Sequence, residues 1–281
     1  MALRSDCEGI RRLLNVSVFR YARVPLANLE SILSSRLAIV AVEKGRLRGS
    51  VISIWPYPPI AWLDALAADR GPSSDTIVDD LLDRFEQALR SWHVQRVSCS
   101  FDDGDSNEMR GMLVTRGFTP KGRFMRYEKM DFSVPHFEAP HTTLRPCAKH
   151  DLPDICRIEE ASFAPEWRNS EEMLMRAIDR FPSFKVALVD GAVAGLQYST
   201  IDAGVGRIIH LAVAPRFRGL NVAKSLLADV IRFFQRRRVK RIEVRVEQNL
   251  TDARCLYVSF GFLPKAPDRE VLTKDLELRT R

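Results

Sequence analysis

The stretch Ile209-His210-Leu211-Ala212-Val213-Ala214-Pro215-Arg216-Phe217-Arg218-Gly219-Leu220-Asn221-Val222-Ala223-Lys224-Ser225-Leu226-Leu227 reads as a strand, a basic turn and the start of a helix. Ile208, Ile209, Leu211 and Val213 are side chains that favour extended backbone. Pro215 has no N–H to offer a ladder and ends the strand. Val222, Leu226, Leu227, Val230, Ile231 and Phe234 then recur at helical spacing. Gly219 supplies the positive φ that a tight turn requires. The first N–H groups of a helix lack intrahelical acceptors and have the positive end of the helix dipole behind them. Such a turn is an anion site, and pyrophosphate is its usual anion. Read without its surroundings, the same stretch is also an ordinary strand–turn–helix connection with surface arginines.

A second segment decides between these readings. Ala253-Arg254-Cys255-Leu256-Tyr257-Val258-Ser259-Phe260-Gly261-Phe262 follows about thirty residues later. The turn resembles the acetyl-CoA signature of the GNAT superfamily, Arg/Gln-x-x-Gly-x-Gly/Ala after a strand. Arg218 stands at its first position and Ala223 at its last. Asn221 replaces the usual glycine, and asparagine tolerates left-handed backbone better than most residues. The second segment resembles the family's next element, Ala-x-x-Leu-Tyr-x-x-x-Gly-Phe. Two motifs in the right order carry the resemblance over residues 142–281.

The chain also repeats itself. Gly117-Phe118-Thr119-Pro120-Lys121 matches Gly261-Phe262-Leu263-Pro264-Lys265. Val94-Gln95-Arg96-Val97 matches Val239-Lys240-Arg241-Ile242, and Leu66-Ala67 matches Leu211-Ala212. Gly45 and Gly49 match Gly191 and Gly195. All four share an offset of about 145 residues, which is the mark of a duplicated domain. We therefore expect a degenerate domain over 1–132, a Pro-containing linker over 133–141 and an acetyl-CoA-binding domain over 142–281. The resemblance implies an α/β (α+β) fold: two tandem GNAT-like domains, each a mixed, mostly antiparallel twisted sheet flanked by helices. In the first copy the turn before the matching helix is Asp69-Arg70-Gly71-Pro72-Ser73-Ser74-Asp75, with Ser73 in the place of Arg218. Asp75, Asp79 and Asp80 suit the dipole of that helix but repel a pyrophosphate.

Composition narrows the class. A hydrophobic fraction of 46% in 281 residues is enough for two packed cores. No run approaches the roughly 18 apolar residues of a membrane helix, so no membrane partner is expected. The five cysteines have no metal-ligand spacing and, being odd in number, read as reduced thiols of a cytoplasmic protein without a metal. The net charge of +7 is concentrated at Arg236-Arg237-Arg238-Val239-Lys240-Arg241, where a helix C-terminus accommodates cations. No nucleic-acid-reading motif accompanies this run, which argues against a nucleic-acid partner.

The resemblance implies an N-acetyltransferase that moves acetyl from acetyl-CoA directly to a primary amine. Leu211, Ala212 and Val213 would meet the pantetheine and thioester. Arg216, Arg218, Gly219, Leu220, Asn221, Val222, Ala223 and Lys224 would hold the pyrophosphate, and Asn249 would contact the pantetheine arm. Tyr257 stands at the family's general-acid position; a phenol is protonated at neutral pH and can donate to a departing thiolate. The general base stays open. Where relatives carry a glutamate, this chain has Arg245 or Arg207. Glu243 and Glu160 are the candidates, with Glu159 adjacent. His210 reads as structural, because its parity opposes Arg207, Ile209 and Leu211. Glu159, Phe163 and Trp167 resemble the first-helix segment of ribosomal-protein alanine N-acetyltransferases, which implies a peptide or protein amine. A small amine, as in the tandem-domain mycothiol synthases, and an acyl-CoA-sensing or partner-binding pseudoenzyme are the alternatives.

Overall fold

The computed structural model of the 281-residue chain describes all residues except 18, 24–28, 36, 55–57, 70, 72–73, 103–104, 165–166 and 278–281. It divides into two compact units, Met1–Gly122 with Arg269–Arg281, and Arg123–Asp268. The first copy runs α1 (Cys7–Val16), β1 (Phe19–Ala22), α2 (Leu29–Ser35), β2 (Leu37–Glu43), β3 (Arg46–Ser53), β4 (Ile60–Trp62), β5 (Ala65–Ala68), α3 (Ser74–Ser91), β6 (Arg96–Asp102), α4 (Asn107–Thr115) and β7 (Thr119–Lys129). The second runs β8 (Thr142–Pro146), α5 (Leu152–Ser162), α6 (Glu171–Arg180), β9 (Ser183–Val189), β10 (Ala192–Asp202), β11 (Val205–Val213), α7 (Val222–Arg236), β12 (Arg241–Glu247), α8 (Thr251–Ser259) and β13 (Leu263–Asp275). The succession from α1 to β7 parallels that from α5 to β13, as the repeats imply, with β1 and β4 as additions in the first copy. The sheets are mixed and mostly antiparallel, with helices packed on them.

The expected boundaries at 132 and 142 do not coincide with the compact units. Phe124–Lys129 of β7 pair with β12 inside the second unit. Arg269–Asp275 of β13 pair with β6 inside the first. The last strands of the two copies are therefore exchanged: β6 and β12 would each carry a row of unmatched N–H and C=O groups, and each finds its partner in the other repeat. The expected linker packs instead of hanging free. Phe132, Val134 and Phe137 lie against the second unit's core, with Phe137 and Phe260 ring centroids 6.1 Å apart. The C-terminal segment is a single long strand, β13.

In the second unit the strand order is β7-β12-β11-β10-β9-β8. α7 covers one face through Leu227, Val230, Ile231 and Phe234, and α5 and α6 cover the other through Ile155, Ile158, Leu174 and Ala177. Gly206 of β11 is forced by this packing: a Cβ there would lie 2.6 Å from Phe234 Cδ1, in a fully buried ring. Gly206→Ala is expected to destabilise the protein by about 1–3 kcal/mol, read as a lower midpoint in urea unfolding.

Candidate functional site

The site begins where two strands part. β11 pairs in parallel with β12 only from Val205 opposite Arg241 to Ile208 opposite Val244, although β11 continues to Val213 and β12 to Glu247. The β12-facing edge of Ile209–Val213 has no strand partner among the described residues. The parting coincides with a bulge. On the other side of β11, Tyr198 faces His210 and the next residue, Ser199, faces Ile208, so Ile209 is the inserted residue. Bulges of this kind bend a strand and re-aim its side chains.

The parted edge opens on two cavities that share Phe163, Leu211, Leu250 and Ala253. The larger, about 670 Å³, runs from the parted edge to the N-terminus of α7. Leu211, Ala212, Val213, Arg218, Gly219, Asn221, Val222, Ala223, Lys224 and Asn249 all line it. Arg216 and Leu220 do not; both are exposed, and Arg216 lies over the Phe217 ring. Two left-handed residues shape the turn, Gly219 at φ +83° and Asn221 at φ +58°. Asn221 thus supplies the conformation a glycine would, and its amide adds a bond, Nδ2 donating to the Glu138 carbonyl at 2.9 Å. The turn leaves the first N–H groups of a 15-residue amphipathic helix facing the cleft beside Arg218 and Lys224.

The smaller cavity, about 200 Å³, is walled by Phe124, Trp167, Phe163, His210, Arg245, Glu247 and Tyr257. Phe124 and Trp167 meet edge to face, with centroids 5.0 Å apart. Tyr257 is 5% exposed and packs edge-on to Phe262; burial raises its phenol well above the ordinary value, so it stays protonated through neutral pH.

Two carboxylates expected at the site are elsewhere. Glu160 is on the exposed face of α5 and lines neither cavity. Glu243 lies on the sheet face away from α7 but short of the parting, opposite Arg207; its carboxylate accepts from Arg207 Nε at 3.3 Å and Arg241 Nε at 2.9 Å, and it lines neither cavity. The alternation of Ile242, Val244 and Val246 toward α7 dictates that placement. His210 differs too. Paired residues share a face and successive residues do not, so the bulge puts His210 on the face of Arg207 and opposite Ile208. There it meets Glu159, whose Oε1 lies 2.5 Å from Nε2. Glu159 was legible in principle: Ile155, Ile158 and Glu159 fall on one stripe of α5 at i, i+3 and i+4. Pro165 and Glu166, within the Phe163–Trp167 segment, lie outside the described residues.

Residues 152–262 match the family model described as the acetyltransferase (GNAT) family. An uncharacterized N-acetyltransferase of Methanocaldococcus jannaschii is 30% identical over 138 residues, 48% of this chain and 83% of the relative. The chain belongs to the GNAT family of N-acetyltransferases. A provisional ribosomal protein bS18–alanine N-acetyltransferase of Bacillus subtilis is 23% identical over 114 residues, covering 41% of this chain and 76% of that one. The duplicated architecture recurs in a solved tandem GNAT protein from the clavulanic acid biosynthesis pathway. That structure has a TM-score of 0.64 and 14% identity, over 92% of this chain and 90% of its own. Among the described residues no helix is long and apolar enough to cross a membrane.

The left-handed backbone at Asn221 is a sharp test of the turn. Asn221→Val puts a β-branched side chain at positive φ and is expected to cost about 1–2 kcal/mol of stability, whereas Asn221→Gly retains the turn. Urea unfolding of the two variants side by side reads the difference.

Proposed function

We propose that the second unit transfers an acetyl group from acetyl-CoA to a primary amine of a peptide or protein. The observation that carries this is a single cavity that joins the parted edge of β11 to the open N-terminus of α7. The donor set suits an acyl-CoA. The α7 N–H groups with Arg218 and Lys224 suit a pyrophosphate, and the free edge at Leu211–Val213 suits the amide-bearing pantetheine arm, with Asn249 and Leu250 across the cleft. Bound there, acetyl-CoA supplies an activated thioester. Backbone N–H groups of the β11 edge are preorganised donors for charge developing on its carbonyl oxygen. Tyr257, kept protonated by burial, is the donor to the departing sulfur. The Bacillus subtilis relative, named for a ribosomal-protein alanine, supports a peptide amine, and the aromatic wall of Phe124 and Trp167 gives such a chain a surface to lie on.

We read the first copy as degenerate, on a second observation. At the repeat offset, Ala65–Ala68 of β5 are the counterparts of His210–Val213. Their outer edge is filled by the chain's own β1, from Phe19 opposite Ala68 to Ala22 opposite Ala65. The turn before α3 is closed on itself: Gly71 N–H donates to Ser74 Oγ at 2.7 Å, and that hydroxyl also bonds the Asp69 carbonyl at 2.8 Å. Arg70, Pro72 and Ser73 of that turn lie outside the described residues.

Calorimetric titration of acetyl-CoA into the whole protein is expected to give one site per chain, weakened about tenfold or more by Arg218→Glu with Lys224→Glu. Two equivalent sites would overturn the degenerate reading, and no binding would overturn the acetyl-CoA reading in favour of a partner-binding pseudoenzyme. Transfer to small amines but to no peptide would replace the acceptor class.

A further inference from the structure

We propose that His210 is the group that takes the proton from the attacking amine, and that Glu159 and Asn169 are positioning residues that fix its ring. The inference rests on the acetyl-transfer reading above and assigns the base that neither Glu243 nor Glu160 supplies. His210 lines the smaller cavity next to Leu211, on the parted edge, and its side chain is 13% exposed. Its ring is held from both sides. It stacks on Tyr198 at 5.4 Å and 23°, and Phe163 lies 4.6 Å away on α5's C-terminal flank.

The tautomer follows from Glu159. Its carboxylate, 2% exposed, is acceptor-only: Oε2 receives Asn169 N–H at 2.9 Å and Asn169 Nδ2 at 3.1 Å, and Oε1 faces His210 Nε2 at 2.5 Å. Asn169 Nδ2 also lies 3.3 Å from Nε2, but it donates to Oε2 at the shorter 3.1 Å, so the acceptor at 2.5 Å draws the imidazole proton to Nε2 and leaves the lone pair on Nδ1. Among the described residues Nδ1 makes no hydrogen bond of its own. A buried carboxylate that orients one ring nitrogen and leaves the other to move protons is the same division of labour that serves hydrolytic triads.

The step balances. The amine lone pair forms the C–N bond to the thioester carbonyl carbon, and a nitrogen proton passes to His210 Nδ1. The C–S pair leaves on sulfur, which takes the Tyr257 proton. Tyr257 and His210 then return to their starting states by exchange with solvent. The ionisable groups facing His210 are Glu159 from α5, Tyr198 from β10, Arg245 and Glu247 from β12 and Tyr257 from α8. Burial and Glu159 hold Tyr198 protonated, so the charge nearest the ring is that of Glu159.

Thiol release from acetyl-CoA is measured with a hexapeptide bearing an N-terminal alanine, for the wild type, His210→Ala, His210→Gln and Glu159→Gln. His210→Ala is expected to lower kcat about 100-fold with the KM for acetyl-CoA unchanged, and added imidazole to restore much of the rate. Nitrogen-15 spectra of ring-labelled histidine, with acetyl-CoA bound, are expected to show neutral His210 with its proton on Nε2; Glu159→Gln is expected to weaken that preference. Unfolding midpoints and acetyl-CoA titration on the same variants separate a lost base from a lost fold. Full activity in either His210 variant overturns the inference and leaves the acetyltransferase intact. A wild type that binds no acetyl-CoA overturns the reading beneath it. If acetyl-CoA binds and the peptide does not react, the spectra decide: a proton on Nδ1 overturns the inference, and one on Nε2 upholds it.

Discussion

The site exists because two parallel strands stop pairing after four residues. Between Ile208 and Val244 the β11–β12 ladder is intact; one residue later it is not. Unpaired backbone in a protein interior is costly, so an edge of this kind must be met by water, by another strand or by a ligand with amides of its own. The two copies in this chain give different answers to the same problem. In the first, β1 lies along β5 and completes the ladder. In the second the edge is left to a cleft, and the turn into α7 adds a positive terminus at one end of it.

The bulge at Ile209 links this opening to the chemistry. Without it, strict alternation would carry His210 to the α7 face, among Leu227, Ile231 and Phe234, where an imidazole has no partner. With it, the ring crosses to Glu159 and Asn169. One extra residue thus parts the strand from its neighbour and turns a side chain toward the space created.

Much of this was written in the sequence at short range. The turn was legible because left-handed backbone selects a few residue types, and Gly219 and Asn221 are among them. α7 was legible because its apolar stripe has one period over four turns. The duplication was legible because Gly-Phe-x-Pro-Lys and its companions kept their spacing. What stayed hidden was set by pairing between distant segments. Ile208 and Ile209 are both good strand residues, and nothing in either marks the second as an insertion. Glu160 was plausible by type, but the packing of its neighbours left it on the exposed side of α5; Glu243 falls within the intact ladder, short of the parting, where Arg207 and Arg241 hold it. The exchange of β7 and β13 leaves no local mark, because each strand carries a pattern suited to either copy.

That exchange also sets a timetable. Arg269 bonds Asp102 across 167 residues of chain. At roughly 5–20 residues per second of synthesis, β6 waits on the order of ten to thirty seconds after it is made before its partner exists. The first copy is built early and finished last. During that interval β6 presents an open edge to the crowded space around the ribosome, and the arrival of one strand, not the packing of its own core, is what closes it.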